Sequence, residues 1–68
     1  MHTQIWMVEQ WREIHGQTVP IRSVVRAKTR RRARGRAEAA CVAAMQQLAG
    51  EPGKPKGPAH ELYPIGYE

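Results

Sequence analysis

Hydrophobic residues enter this chain in two rhythms, first of two and then of about four. Over residues 3–12, Ile5, Met7 and Trp11 alternate onto one face, while Trp6 and Val8 fall on the other. The stretch is rich in β-branched and aromatic side chains and short, which predicts a strand in preference to a helix. Glu13 to Gln17 then reads as a hairpin turn, with Gly16 free to take the positive φ that such a turn demands. From Thr18 the period of two is clearer. Val19, Ile21, Ser23, Val25 and Ala27 point one way, and Thr18, Pro20, Arg22, Val24, Arg26 and Lys28 the other. Pro20 has no backbone donor, so this second strand should sit at a sheet edge or have Pro20 near its start.

At Thr29 the rhythm changes. Its hydroxyl suits an N-cap, and beyond it Ala33, Ala37, Ala40 with Cys41, Ala44 and Leu48 recur every three or four residues, widened by Val42, Met45 and Ala49. This predicts a helix over residues 30–49, stopped by Gly50 with Pro52 just beyond. Gly35 is its weak point, about 1 kcal/mol poorer than alanine, and the expected place for a bend. Residues 51–59, EPGKPKGPA, read as a Pro/Gly/Lys linker with nothing to pack. In residues 60–68, HELYPIGYE, Tyr63, Ile65 and Tyr67 alternate; Pro64 and Gly66 restrict this tail to a short edge strand or a docking peptide. The expected class is α+β with order ββαβ: a compact unit over 1–50, a linker, and the tail.

Composition sets the scale. Sixty-eight residues make one small domain, and about a third of its 41% apolar content is alanine, with no phenylalanine. The large core candidates are Ile5, Trp6, Met7, Val8, Trp11, Val19, Ile21, Val25, Val42, Met45 and Leu48, with Leu62, Tyr63 and Ile65 from the tail. Stability is therefore expected to be modest. A single cysteine, Cys41, excludes an internal disulfide and fits a reducing compartment. The start lacks a basic leader, and its longest apolar run is four residues. A cytoplasmic protein with no membrane partner is expected.

Charge changes the picture most. The chain is +5 overall, yet residues 22–36 alone supply +8 through Arg22, Arg26, Lys28, Arg30, Arg31, Arg32, Arg34 and Arg36, without one acid. The remainder is net −3. Five of these arginines crowd the start of the predicted helix, where the macrodipole is already positive and each exposed cation costs a few tenths to about 1 kcal/mol. A solvated basic face would intersperse acids. This arrangement instead predicts counter-charges on a partner: RNA or DNA phosphates, or an acidic protein surface.

Residues 27–38, AKTRRRARGRAE, resemble the arginine-rich RNA-binding motif of the N antiterminators of lambdoid phages. There a small residue, a Thr or Ser cap and an arginine run open a bent helix that grips an RNA hairpin. Ala27, Thr29, Arg30, Arg31, Arg32 and Arg34 fall on matching positions. Ala33 stands where the family has a glutamate, and the family's base-stacking aromatic has no counterpart near Cys41 and Val42. The resemblance implies RNA or DNA contact, and under it Gly35 would let the arginines follow a curved phosphate track. In size and order the chain is also similar to small phage inhibitors of host machines, of the anti-CRISPR or RNA polymerase inhibitor type.

The expected function is thus a non-enzymatic nucleic-acid-binding regulatory module, phage or mobile-element encoded. The alternative is an inhibitor docking on a host nucleoprotein assembly, with Tyr63, Ile65 and Tyr67 as candidate interface residues. His2, His15 and His60 lack metal-ligand spacing, Cys41 lies on the apolar stripe, and no acid, base and nucleophile form a set. No catalytic residue, metal or cofactor is expected.

Overall fold

A computed structural model describes residues 2–57 and 61–68. Five elements follow in order: β1 (Gln4–Ile14), β2 (Gln17–Ala27), α1 (Arg30–Ala49), β3 (Lys54–Pro55) and β4 (Glu61–Tyr67). The class is α+β, with the expected ββαβ order joined by the short extra strand β3. Pro58 and Ala59 of the linker and His60 of the tail lie outside the described residues.

β1 and β2 form an antiparallel hairpin in which Ile14 faces Gln17, leaving only His15 and Gly16 as the loop. Both loop residues have positive φ, 51° and 76°. This is the combination that lets a two-residue turn follow the right-handed twist of its strands. The glycine was legible; the strained left-handed His15 was not. Among the described residues β2 has β1 as its one strand neighbour and no strand on its other edge, as Pro20 requires.

β1 is the central strand. On the edge away from β2 it takes two partners end to end, with β4 along Gln4–Glu9 and β3 along Arg12–Glu13. The tail is therefore a paired strand and not a free peptide. A register shift opposite Ile5 and Trp6 leaves Ile65 without a partner in β1, and this is how Pro64 and Gly66 are accommodated.

α1 covers one face of the sheet. Thr29 is extended (φ −136°, ψ 158°) and its hydroxyl accepts from the Arg32 amide at 3.2 Å. At the other end Gly50 is left-handed (φ 77°) and donates to the Gln46 carbonyl at 2.9 Å. Between these caps the helix is unbroken through Gly35. Beyond the helix's own backbone and its chain neighbours, no atom stands within 4 Å of where a Gly35 Cβ would be, so the glycine makes no close approach to the sheet.

The core is Trp6, Val8, Ile21, Val25, Ala27, Ala33, Ala37, Cys41, Met45 and Leu62. The helix contributes every fourth residue from Ala33 to Met45; Ala33, Ala37 and Cys41 are small and let it lie close, and Met45 is the one large side chain of the line. Leu48, expected to continue that stripe, is 76% exposed, and Val42 is half-buried. The line of fours leaves the sheet after Met45 because the strands end there and only the 51–53 segment follows. Of β1's two apolar sets, the helix covers Trp6 and Val8. Ile5 and Met7 are half-buried and Trp11 exposed on the opposite face.

The buried set of β1 also contains Gln10 and Arg12. Arg12, 2% exposed, donates through Nε to the Pro52 carbonyl at 2.9 Å and through Nη2 to the Gly53 carbonyl at 3.3 Å. Its Nη1 reaches Gln10 Oε1 at 2.5 Å and Glu38 Oε1 at 3.0 Å. The stretch after the helix is thus fastened by a guanidinium, against the expectation that residues 51–59 have no means of packing. Gly53 takes part: with φ 66°, a Cβ there would stand 2.8 Å from the Glu13 carbonyl oxygen. No helix among the described residues is long and apolar enough to cross a membrane.

Candidate nucleic-acid interface

The eight cations of residues 22–36 are divided by the fold into two groups of four. In the first group each side chain is engaged within the chain. Arg22, on the helix-free face of β2, donates to Glu9 Oε2 at 2.6 Å, and this bond together with the carboxylate charge raises its pKa further. Arg26 pairs with Glu68, and Arg36 donates to the carbonyl of Arg26. Arg30 donates to the Leu62 carbonyl at 2.9 Å, with its guanidinium 5.1 Å from the centre of the Trp6 ring. Trp6 Nε1 in turn donates to the Ala27 carbonyl at 3.0 Å. Arg30 thereby joins β1, the helix start and β4.

The second group is Lys28, Arg31, Arg32 and Arg34. All four are exposed, and none of their side chains has a hydrogen bond or ion pair among the described residues. Lys28 sits in the two-residue link before α1. At about 100° per residue, Ala33 and Ala37 fix the side that meets the sheet, which turns Arg31 and Arg32 outward and leaves Arg34 on a flank. Gly35 lies between them on the outer side. The first turn of the helix contains no acid, so the backbone dipole adds to the positive field. The feature that separates the two groups is long-range pairing, which composition and spacing do not encode.

The tail residues do not gather into one surface. Tyr63 pairs across to Met7 on the helix-free face, Tyr67 faces Gln4 on the helix side, and Ile65 occupies the register shift. Tyr67 also meets the His2 ring edge-on, with centroids 6.2 Å apart. Tyr63 donates its hydroxyl to Glu61, and that bond, with partial burial and nearby carboxylate charge, raises its pKa.

Elsewhere the chemistry is quiet. Cys41 is fully buried and burial pushes its thiol up, as for an inert core cysteine. A shallow cleft of about 380 Å³ lies at the hairpin tip between Glu13, Ile14, His15 and residues 51–54. It is at the opposite end of the strands from the free cations, and His15 there contacts Glu51 at 3.3 Å. Among the described residues no group of three metal-ligating side chains converges. No protein-family model, curated protein sequence or solved structure matches the chain.

Proposed function

We propose that this protein is a non-enzymatic nucleic-acid-binding module of the cytoplasm, gripping phosphates with Lys28, Arg31, Arg32 and Arg34. The observation that carries the reading is that their side chains have no ion pair among the described residues, at a helix start that has no acid. Their four sister cations, in contrast, serve the fold. Arginine's planar fork suits phosphate oxygens better than lysine does, and three of the four are arginines. The capped start at Thr29 and the arginine run beginning at Arg30 match what the antiterminator-like resemblance implies, and that favours RNA over DNA.

The division of the cluster makes the reading quantitative. Each neutralised phosphate releases counterions, so four working cations give a log Kd against log salt slope of about 3.6 on duplex DNA, where eight would give about 7. Fluorescence anisotropy with a labelled RNA hairpin and a DNA duplex over a range of salt measures it. Arg32→Ala should lower the duplex slope by about 0.9, and Arg36→Ala should leave it unchanged. Binding that ignores salt, or no binding at low salt, would sink the proposal.

A further inference from the structure

The helix occupies one side of the sheet, and the other side is not built like a surface left to water. On β1 it carries Ile5, Met7 and Trp11; across the ladders Val24 and Tyr63 flank Met7, and Pro20 faces Trp11. Trp11 is 49%, Val24 53% and Tyr63 43% exposed. A strand with one wet face alternates apolar with polar, whereas one covered on both faces is apolar throughout. Ile5 to Val8 is of the second kind, four apolar residues in a row in the central strand. Nothing among the described residues lies over this side.

The charges on that side balance, four cations against four carboxylates once Lys54, across the ladder from Glu13, is counted. Arg22 holds Glu9 at 2.6 Å, Lys56 holds Glu13 at 3.0 Å, Arg26 holds Glu68, and Glu61 accepts from Tyr63. Only Lys54 and Glu61 have no ion pair among the described residues, so this side offers phosphates one open cation where the helix start offers four, and its net charge of zero favours no oppositely charged protein. It is complementary to another neutral apolar face, and the protein itself supplies one.

We propose that two copies stack these helix-free faces into an α-β-β-α dimer. The footprint is adequate. The two eleven-residue strands, with β4 and β3 end to end as a third row, cover roughly 36 by 14 Å in projection before side-chain relief is added, and a stable dimer needs about 600 Å² of accessible surface per partner at the lower end. Faces rather than edges meet, because the free edge of β2 is blunted by Pro20, which has no donor, and by Arg22 and Arg26. Stacking keeps both helices on the outside, so each copy still presents Lys28, Arg31, Arg32 and Arg34. The proposal does not depend on what those cations bind.

Sedimentation equilibrium of the nuclease-treated protein from about 1 to 100 µM, a range that brackets micromolar association, tests it. The expected result is a monomer–dimer equilibrium and an unfolding midpoint that rises with concentration. Val24→Glu, which sets a carboxylate between Arg22 and Arg26, is tolerated in the monomer but puts a charge in the interface. Trp11→Ala removes the largest side chain of the face. Each should weaken dimerisation by about thirtyfold or more, the scale of an interface hot spot, with circular dichroism unchanged at dilute concentration. If Val24→Glu fails to fold, Trp11→Ala decides alone. A monomer throughout the range overturns the proposal, as does a dimer indifferent to the variants that fold. Association that appears only when RNA is added also overturns it, since the RNA then bridges copies through their outward cations.

Discussion

Arg12 gives the sharpest test of how this small fold is held. Replacing it with methionine keeps most of the side chain's length and removes every donor. The Pro52 and Gly53 carbonyls and the buried Gln10 amide oxygen lose their partner. Buried acceptors left unmet cost about 1–3 kcal/mol each. The 52–53 segment can detach and rehydrate its carbonyls, which limits the total to about 3 kcal/mol. For 68 residues the whole stability is of order 3–10 kcal/mol, so the loss is a large share. Glu38, in contrast, is 51% exposed and half solvated already. Glu38→Gln should cost no more than about 1 kcal/mol. Urea unfolding followed by far-ultraviolet circular dichroism reads both variants. With a slope near 1 kcal/mol/M, Arg12→Met lowers the midpoint by about 3 M. If Arg12→Met is as stable as the parent, the guanidinium is tolerated in the core and not needed. If Glu38→Gln costs as much as Arg12→Met, the ion pair and not the carbonyl tie is the source of the stability.

Two further outcomes follow from single sites. Gly35→Ala places a Cβ in open space on a continuous helix, and should add about 1 kcal/mol, raising the melting temperature by about 4–8 °C. RNA affinity measured on the same variant shows whether the glycine is a hinge for the arginines, in which case affinity falls, or only a soft spot, in which case it holds. Tyr63 should titrate above the ordinary tyrosine range, because its hydrogen bond to Glu61 favours the neutral phenol. That contribution to stability is intact below the unfolded-state value and is lost as pH rises through the folded one. Ultraviolet difference titration should show the lag in the parent and its reduction in Glu61→Gln; equal curves would mean the bond is not formed.

Much of the architecture could be read from residue pattern. Strand β2 was legible side chain by side chain, since its apolar and polar sets differ so clearly and Pro20 marks the edge. Both helix caps were legible for the same kind of reason: Thr29 and Gly50 each solve a local backbone problem. β1 was ambiguous because both of its parities are apolar, so alternation alone does not say which side meets the helix. A signal did exist, in that Gln10 and Arg12 share parity with Trp6 and Val8, but a buried arginine is unexpected until its acceptors at 52 and 53 are known. Those acceptors lie forty residues away, beyond any local rule. The basic cluster was found whole, while its division was not, for the partners of Arg22, Arg26, Arg30 and Arg36 are set by the ladders between β1, β2 and β4.

The pairing of β4 with β1 has a kinetic consequence. Its partners are 52 residues apart at Glu9 and Glu61 and 63 apart at Gln4 and Tyr67, whereas β1 and β2 meet across a two-residue loop. Contacts between distant residues form late, because the chain between them must be ordered first. During synthesis the hairpin and helix can assemble while one flank of β1 still has open amides and Trp6 and Val8 lack Leu62. β4 then docks as the final step, and Arg30 reaches the Leu62 carbonyl only at that point. In hydrogen exchange, the amides that β1 shares with β4 should therefore open together at lower free energy than those it shares with β2. Until β4 is seated, the unsealed flank is a template for another chain's strand, and crowding of nascent copies is where this protein is most exposed to aggregation.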